Sequence, residues 1–225
     1  MISALQPANR MVIDQMNHFL YVSTTAGIAA FSIDQNSGAL TAIAGSPFAA
    51  NLTHPAAIVI TPDNCYLYEA RTEEGSNFAN DGNLYGYSLD QSTGTLTALT
   101  GSPFPVGCPR PGVNVPGHGG VPDNMTISSA GKFLYFANCG TYSIDASTGA
   151  LTETSNVSPG DWPVIDPTGD FLWAIVEETN CQSCTVGVGA FQVDPNTGSL
   201  TAVPNSVVTL ANQQFQNVES LAITK

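Results

Sequence analysis

Two short motifs each occur four times along this chain and stay in phase, and no other feature constrains its fold as tightly. The first runs Phe31-Ser-Ile-Asp34 into Ser37-Gly38-Ala-Leu40-Thr41. It returns at Tyr87–Asp90 with Thr93–Thr97, at Tyr142–Asp145 with Thr148–Thr152, and at Phe191–Asp194 with Thr197–Thr201. Its glycines, Gly38, Gly94, Gly149 and Gly198, lie 56, 55 and 49 residues apart. The second motif keeps step upstream as Phe19-Leu-Tyr21, Tyr66-Leu-Tyr68, Phe133-Leu-Tyr135 and Phe171-Leu-Trp173. A self-similar period of this length marks a unit that cannot bury its own faces and must stack on its neighbours.

Each unit reads as four short strands. In the second, strand A is an apolar run over 57–61, and Pro62-Asp63-Asn64 supplies a turn. Strands B, C and D follow over 65–70, 83–89 and 95–99. Between C and D the run Asp-x-x-Ser/Thr-Gly fits a hairpin loop whose glycine takes a positive φ. Helical periodicity appears nowhere. Four-stranded antiparallel units at a period near 50 predict an all-β chain of propeller blades. The blades fall at approximately 8–48, 54–104, 118–158 and 160–210 of one domain spanning 1–225. Leu20, Leu67, Leu134 and Leu172 then hold equivalent, equally buried places in strand B.

The ends leave a remainder. Residues 218–224 match strand A of a further blade, and residues 2–5 match a strand D. Four blades plus two strands is part of a larger ring, an oligomer in which copies share a ring, or a compact four-bladed monomer.

Composition removes several functions. The chain has 18 Asp and Glu against 5 Lys and Arg, a net charge of −13. Nucleic acid is excluded as a partner, because binding there runs on cations neutralising phosphates. An anionic membrane surface is disfavoured likewise, and no run of 18 apolar residues could span a bilayer. A small-molecule ligand or a protein partner remains, with a homo-oligomer completing the ring as one arrangement. No signal peptide is visible in residues 1–10. Few lysines, many Ser, Thr and Asn, and five cysteines lean towards an extracytoplasmic (periplasmic or secreted) home.

The Phe-Leu-Tyr-Val-Ser run at 19–23, the Lys132–Asn138 run and the Asp-x-x-Ser/Thr-Gly-x-Leu-Thr hairpins resemble the YVTN-type β-propellers. More narrowly they resemble the lactonase-type propellers, which include 6-phosphogluconolactonases and muconate-lactonising enzymes. The Gly-Ser-Pro-Phe exits at 45–48 and 101–104 add to the likeness. The resemblance implies about seven blades and a hydrolase opening a sugar-acid lactone or a related cyclic ester. These motifs build blades, so they speak to fold more than to chemistry. A non-catalytic secreted or surface propeller, serving as a binding or assembly module, is the alternative.

In a propeller the D–A and B–C loops share the face around the channel mouth, where ligands usually lie. That face collects His54, His118, Glu69 and Arg71, with Asn138, Glu177 and Trp162 nearby. A lactonase needs a group that polarises the carbonyl and a base for water. His54, His118, Glu69 and Arg71 are the residue types for both roles. Arg71 stands where the other blades have Thr24, Asn138 and Val176, and a lone cation there would suit a carboxylate substrate. Equally, Arg71 could pair with Glu69, Glu73 or Glu74 on a solvated loop. No metal or cofactor is expected: His18 belongs to the opposite face, and the oxygen-rich 73–83 loop lacks calcium-loop spacing. The geometry of blade 3 predicts a Cys108–Cys139 disulfide and leaves Cys65 the odd thiol. Cys181-x-x-Cys184 is open between a local disulfide and free thiols.

Overall fold

A computed structural model of the chain describes residues 8–48, 55–72, 82–106, 124–137, 139–177 and 186–209. Blade 1 consists of β1 (Ala8–Ile13), β2 (Phe19–Thr24), β3 (Gly27–Ile33) and β4 (Leu40–Ala42). Blade 2 comprises β5 (Pro55–Ile60), β6 (Tyr66–Thr72), β7 (Gly82–Leu89), β8 (Leu96–Ala98) and β9 (Phe104–Pro105). Blade 3 holds β10 (Met125–Ile127), β11 (Phe133–Phe136), β12 (Gly140–Ile144) and β13 (Leu151–Ser155). Blade 4 holds β14 (Asp161–Ile165), β15 (Phe171–Glu177), β16 (Val186–Val193), β17 (Leu200–Ala202) and β18 (Val208–Thr209). Every sheet contains an antiparallel meander of four strands, as the repeat predicts, and the sheets of blades 2 and 4 add a fifth. No helix occurs among the described residues.

Local chemistry explains why each blade turns where it does. At the C–D hairpin, Asp34 Oδ1 accepts the N–H of Asn36 and Ser37, and Gly38 closes the turn at φ +70°. Asp90, Asp145 and Asp194 repeat the arrangement, with glycines at +73°, +70° and +71°. At the A–B turn four different acceptors do one job. Asp14, Thr61, Ser128 and Asp166 take the N–H of the residue that opens strand B. The Gly-Ser-Pro-Phe exits do more than leave the sheet. Ser46 and Ser102 accept the N–H of Ala30 and Gly86, and β9 pairs back onto β7 as a fifth strand. Ser206 and β18 do the same in blade 4.

The chain clusters into two compact units, Met1–Gly107 with Asp145–Ala150, and Cys108–Ile144 with Leu151–Lys225. In the first unit the core runs from Phe19, Tyr21 and Ile28 of blade 1 to Ile58, Leu67 and Tyr87 of blade 2. Its second device is a tyrosine latch: Tyr21 donates to the Gly94 carbonyl at 2.8 Å, and Tyr68 to the Gly149 carbonyl at 2.7 Å. In the second unit Phe133 and Tyr135 pack against Leu172, Ala174 and Val193.

Leu67, Leu134 and Leu172 are fully buried, as the repeat predicts. Leu20 is not: it is half-buried, packing on Val22, Ala29 and Phe31 of its own blade. Side chains alternate across a strand, so Leu20 shares the face of β2 opposite Phe19 and Tyr21, away from the core that blade 1 forms with blade 2. The expected terminal strands at 2–5 and 218–224 lie outside the described residues. Cys139 is buried and disulfide-bonded, and Cys65 is a free thiol. Cys108, Cys181 and Cys184 lie outside the described residues.

Candidate functional site

Strand β6 carries Leu67, Glu69 and Arg71 on one face, because alternate residues of a strand point the same way. Strand β2 presents Phe19, Tyr21 and Ser23 in the same manner. Apolar packing joins the two faces along most of their length. At the far end the chemistry changes. Arg71 donates from Nε to Glu69 Oε2 and from Nη2 to Glu69 Oε1, both at 2.6 Å. The Ser23 hydroxyl donates to the same Oε1. Glu69 is 0% exposed and Arg71 2%.

The sequence left Arg71 either as a free cation at a mouth or as a partner of acidic residues on a solvated loop. The structure pairs it with Glu69, one of the partners the sequence offered, but buries the pair in strand β6 instead of leaving it on a solvated loop. The cause is plain. Two residues apart on a strand, their side chains lie on one face, and that face is covered by blade 1. The fork-to-carboxylate geometry satisfies two donors and two acceptors in a place where water cannot.

Burial drives the Glu69 carboxyl above its ordinary value, against the opposing pull of Arg71 and then Ser23. Burial also pushes the nearby Tyr87 phenol up, with the Glu69 charge adding to it. The cluster is a neutralised ion pair with a hydroxyl and a phenol at its margin.

Ser23 was missed in the sequence, since one serine in a strand carries no signal of its own. Glu69 could have been weighed more heavily. Aligned on the Phe-Leu-Tyr motif, it stands where the other blades have Val22, Phe136 and Ala174, all apolar. A carboxylate at a position the repeat otherwise keeps apolar is an inserted feature, and buried titratable pairs gather at functional sites.

His54 and His118 lie outside the described residues. His54 directly precedes Pro55, whose backbone is paired with Arg71 across β5 and β6. His18 occupies the exposed A–B turn, as expected, with its backbone N–H on Asp14. Among the described residues no group of three His, Cys, Asp or Glu is assembled that could hold a metal.

With fold and cluster in view, comparison with known proteins defines the class. The matched structures include the β-propeller domain of Myceliophteria thermophila Cps50 (Swd1), with a TM-score of 0.51 at 11% identity over 93% of this chain and 60% of that one. The fold is the β-propeller. Two further structures narrow the likeness. A Bacteroides uniformis protein, provisionally assigned as a 6-phosphogluconolactonase, matches with a TM-score of 0.63 at 14% identity, over 90% of this chain and 55% of its own. The periplasmic gluconolactonase of Pseudomonas aeruginosa matches at 0.56 with 16% identity, over 86% and 55%. At these identities the likeness speaks to fold alone. In sequence, the 6-phosphogluconolactonase of Bacillus subtilis (strain 168) is 32% identical over 105 residues. That stretch covers 39% of this chain and 28% of the relative, so the chain spans a minor part of that protein and about half of the first two structures. No family model matches. The chain is thus similar, in sequence and in fold, to lactonase-type propellers.

Proposed function

We propose that the chain opens a sugar-acid lactone of the gluconolactone type, at the end of β6 where Glu69 and Arg71 lie. The observation that carries this reading is the sequence likeness to a 6-phosphogluconolactonase over 105 residues. The charge pair, present in one of four otherwise alike blades, marks the end of β6 as the place where this chain departs from its own repeat. In such a reaction water adds to the lactone carbonyl, the ring C–O bond breaks, the ring oxygen becomes a hydroxyl, and the product leaves as a hydroxy-carboxylate with release of one proton. Negative charge grows on the carbonyl oxygen, so a fixed cation lowers the barrier. Glu69 would hold the Arg71 guanidinium in one plane for that task. His54, beside the residue paired with Arg71, would take the proton from water, and His118 is the second histidine for the same chemistry.

The test is proton release from glucono-1,5-lactone and its 6-phosphate, followed by pH-stat. The parent should turn over, and His54→Ala or Arg71→Lys should lower kcat on the order of a hundredfold with an unchanged circular dichroism spectrum. No turnover by the parent moves the assignment to a non-catalytic binding or assembly module. One observation favours that second reading: with Glu69 and Arg71 sealed from solvent, neither charge is presented to a ligand. An extracytoplasmic home belongs to the same proposal. The disulfide at Cys139 supports it, since such bonds persist in oxidising compartments, and the matched Pseudomonas aeruginosa protein is periplasmic.

A further inference from the structure

A β-bulge opens strand A in blades 1, 2 and 4, at Ala8/Arg10, Pro55/Ala57 and Asp161/Val164. The first two are built without a left-handed residue. The third is not: Trp162 sits at φ +51°. A left-handed bulge position is ordinarily glycine's, because a Cβ there crowds the following carbonyl. Among the described residues four non-glycines have a positive φ, and the other three are Asn17, Asn64 and Asn205. Asparagine tolerates that backbone; a bulky side chain does not. Pro163 adds to the cost, since the residue before a proline is steered towards extended backbone.

Strain of this kind persists only where the surroundings impose it, and it gathers at ligand sites. The imposing contact is visible. Gly160 has φ +93°, and a Cβ on it would stand 2.6 Å from the Ile175 carbonyl oxygen and 3.0 Å from the Ala174 Cβ. Asp161 then pairs with Ile175, so the chain is pressed onto β15 just before Trp162. A bulge breaks the alternation of the strand and re-aims its side chain. The re-aimed indole is half-buried and stands at the D–A end of β14. The whole arrangement belongs to the second compact unit.

An indole face is broad, apolar and electron-rich. Its complement is a ring that turns C–H bonds towards it and keeps polar groups at its rim. A net charge of −13 and the adjacent Asp161 disfavour an anionic ring. A neutral pyranose-type ring meets both conditions. We propose that Trp162 is a stacking platform for a neutral saccharide ring. This goes beyond the lactonase reading, because a non-catalytic saccharide-binding module would use the platform equally; only the choice of a gluconic probe rests on that reading.

The test uses Trp173→Phe protein, in which Trp162 is the sole tryptophan, and D-glucono-1,5-lactam, a stable ring with nitrogen in place of the ring oxygen. Trp162 emission should shift to the blue and saturate with added lactam, and methyl β-D-glucopyranoside, a ring without a carbonyl, should do the same. Open-chain sodium gluconate at equal concentration should leave it unchanged. Calorimetry on the otherwise unsubstituted chain supplies the second arm. Trp162→Tyr keeps an aromatic face and should bind the lactam nearly as tightly as the parent. Trp162→Asn suits the left-handed backbone without a ring, so it should keep the parent's circular dichroism and bind at least about tenfold more weakly. No shift with either ring, an equal response to gluconate, an Asn variant that binds like the parent, or a Tyr variant as weak as Asn would each overturn the platform. Lactone turnover alongside any of these leaves the lactonase reading standing, whereas ring binding without turnover keeps the platform and removes that reading.

Discussion

Replacing Arg71 by Ala is the sharpest probe of the charge pair. The substitution leaves Glu69 fully buried, with Ser23 still donating to it and two charge-assisted hydrogen bonds gone. Breaking a buried pair from one side costs about 3–5 kcal/mol, because the surviving charge has no solvent to turn to. For a chain of this size that corresponds to a fall in Tm of about 6–20 °C. The pH dependence has a fixed sign. The Glu69 carboxyl is already raised in the folded protein, and losing the guanidinium raises it further. A carboxyl raised on folding favours the folded state when protonated and loses that contribution as pH rises through its folded value. The deficit of Arg71→Ala against the parent should therefore grow from about pH 4 to neutrality. Pairing the change with Glu69→Val, and using Arg71→Thr, installs the residues blade 1 carries at these positions, Val22 and Thr24. No buried charge remains, so the double variant should recover most of the loss. Urea unfolding followed by circular dichroism, at several pH values, gives all three quantities. A loss below about 1 kcal/mol for Arg71→Ala would mean the pair is effectively solvated. A double variant less stable than the single would mean that something other than charge burial sets the cost.

Two further outcomes follow from the packing and the hairpins. Leu67→Ala should cost about 2–5 kcal/mol while Leu20→Ala costs distinctly less, since Leu67 is fully buried and Leu20 half-exposes its side chain; equal losses in urea would contradict the burial difference. Hydrogen bonds at the hairpin tips lower the carboxyls of Asp34, Asp90 and Asp194, and lower Asp145 to about 2, led in the last case by the Ser147 and Thr148 hydroxyls. Carboxyls lowered on folding stabilise above their unfolded value and lose that contribution as pH falls, so Tm should drop between about pH 4 and pH 2. Asn in place of all four Asp should flatten that acid limb.

Much of the blade was legible because it is local. Asp34, Ser37 and Gly38 make their turn among themselves, and the same few residues make it three more times. The Phe-Leu-Tyr alternation declares which strand B side chains face each neighbour, and three of the four leucines are buried accordingly. The exits at Ser46 and Ser102 were legible as motifs, but their return to pair with the sheet was not. That return depends on a strand made some sixteen residues earlier.

By itself the sequence determined the unit, its four strands, its turns and its stacking mode, because each rests on backbone geometry and contacts within a single repeat. Tertiary structure alone decided the fate of the exceptions. Glu69 and Arg71 read as mouth residues or loop partners until blade 1 was seen to cover them and Ser23 to complete the cluster. Gly38 and Phe171 read as equivalents of their buried counterparts, yet both are exposed. A repeat describes what every blade has in common, whereas burial depends on what lies beside a particular blade, and that is a property of the assembled chain.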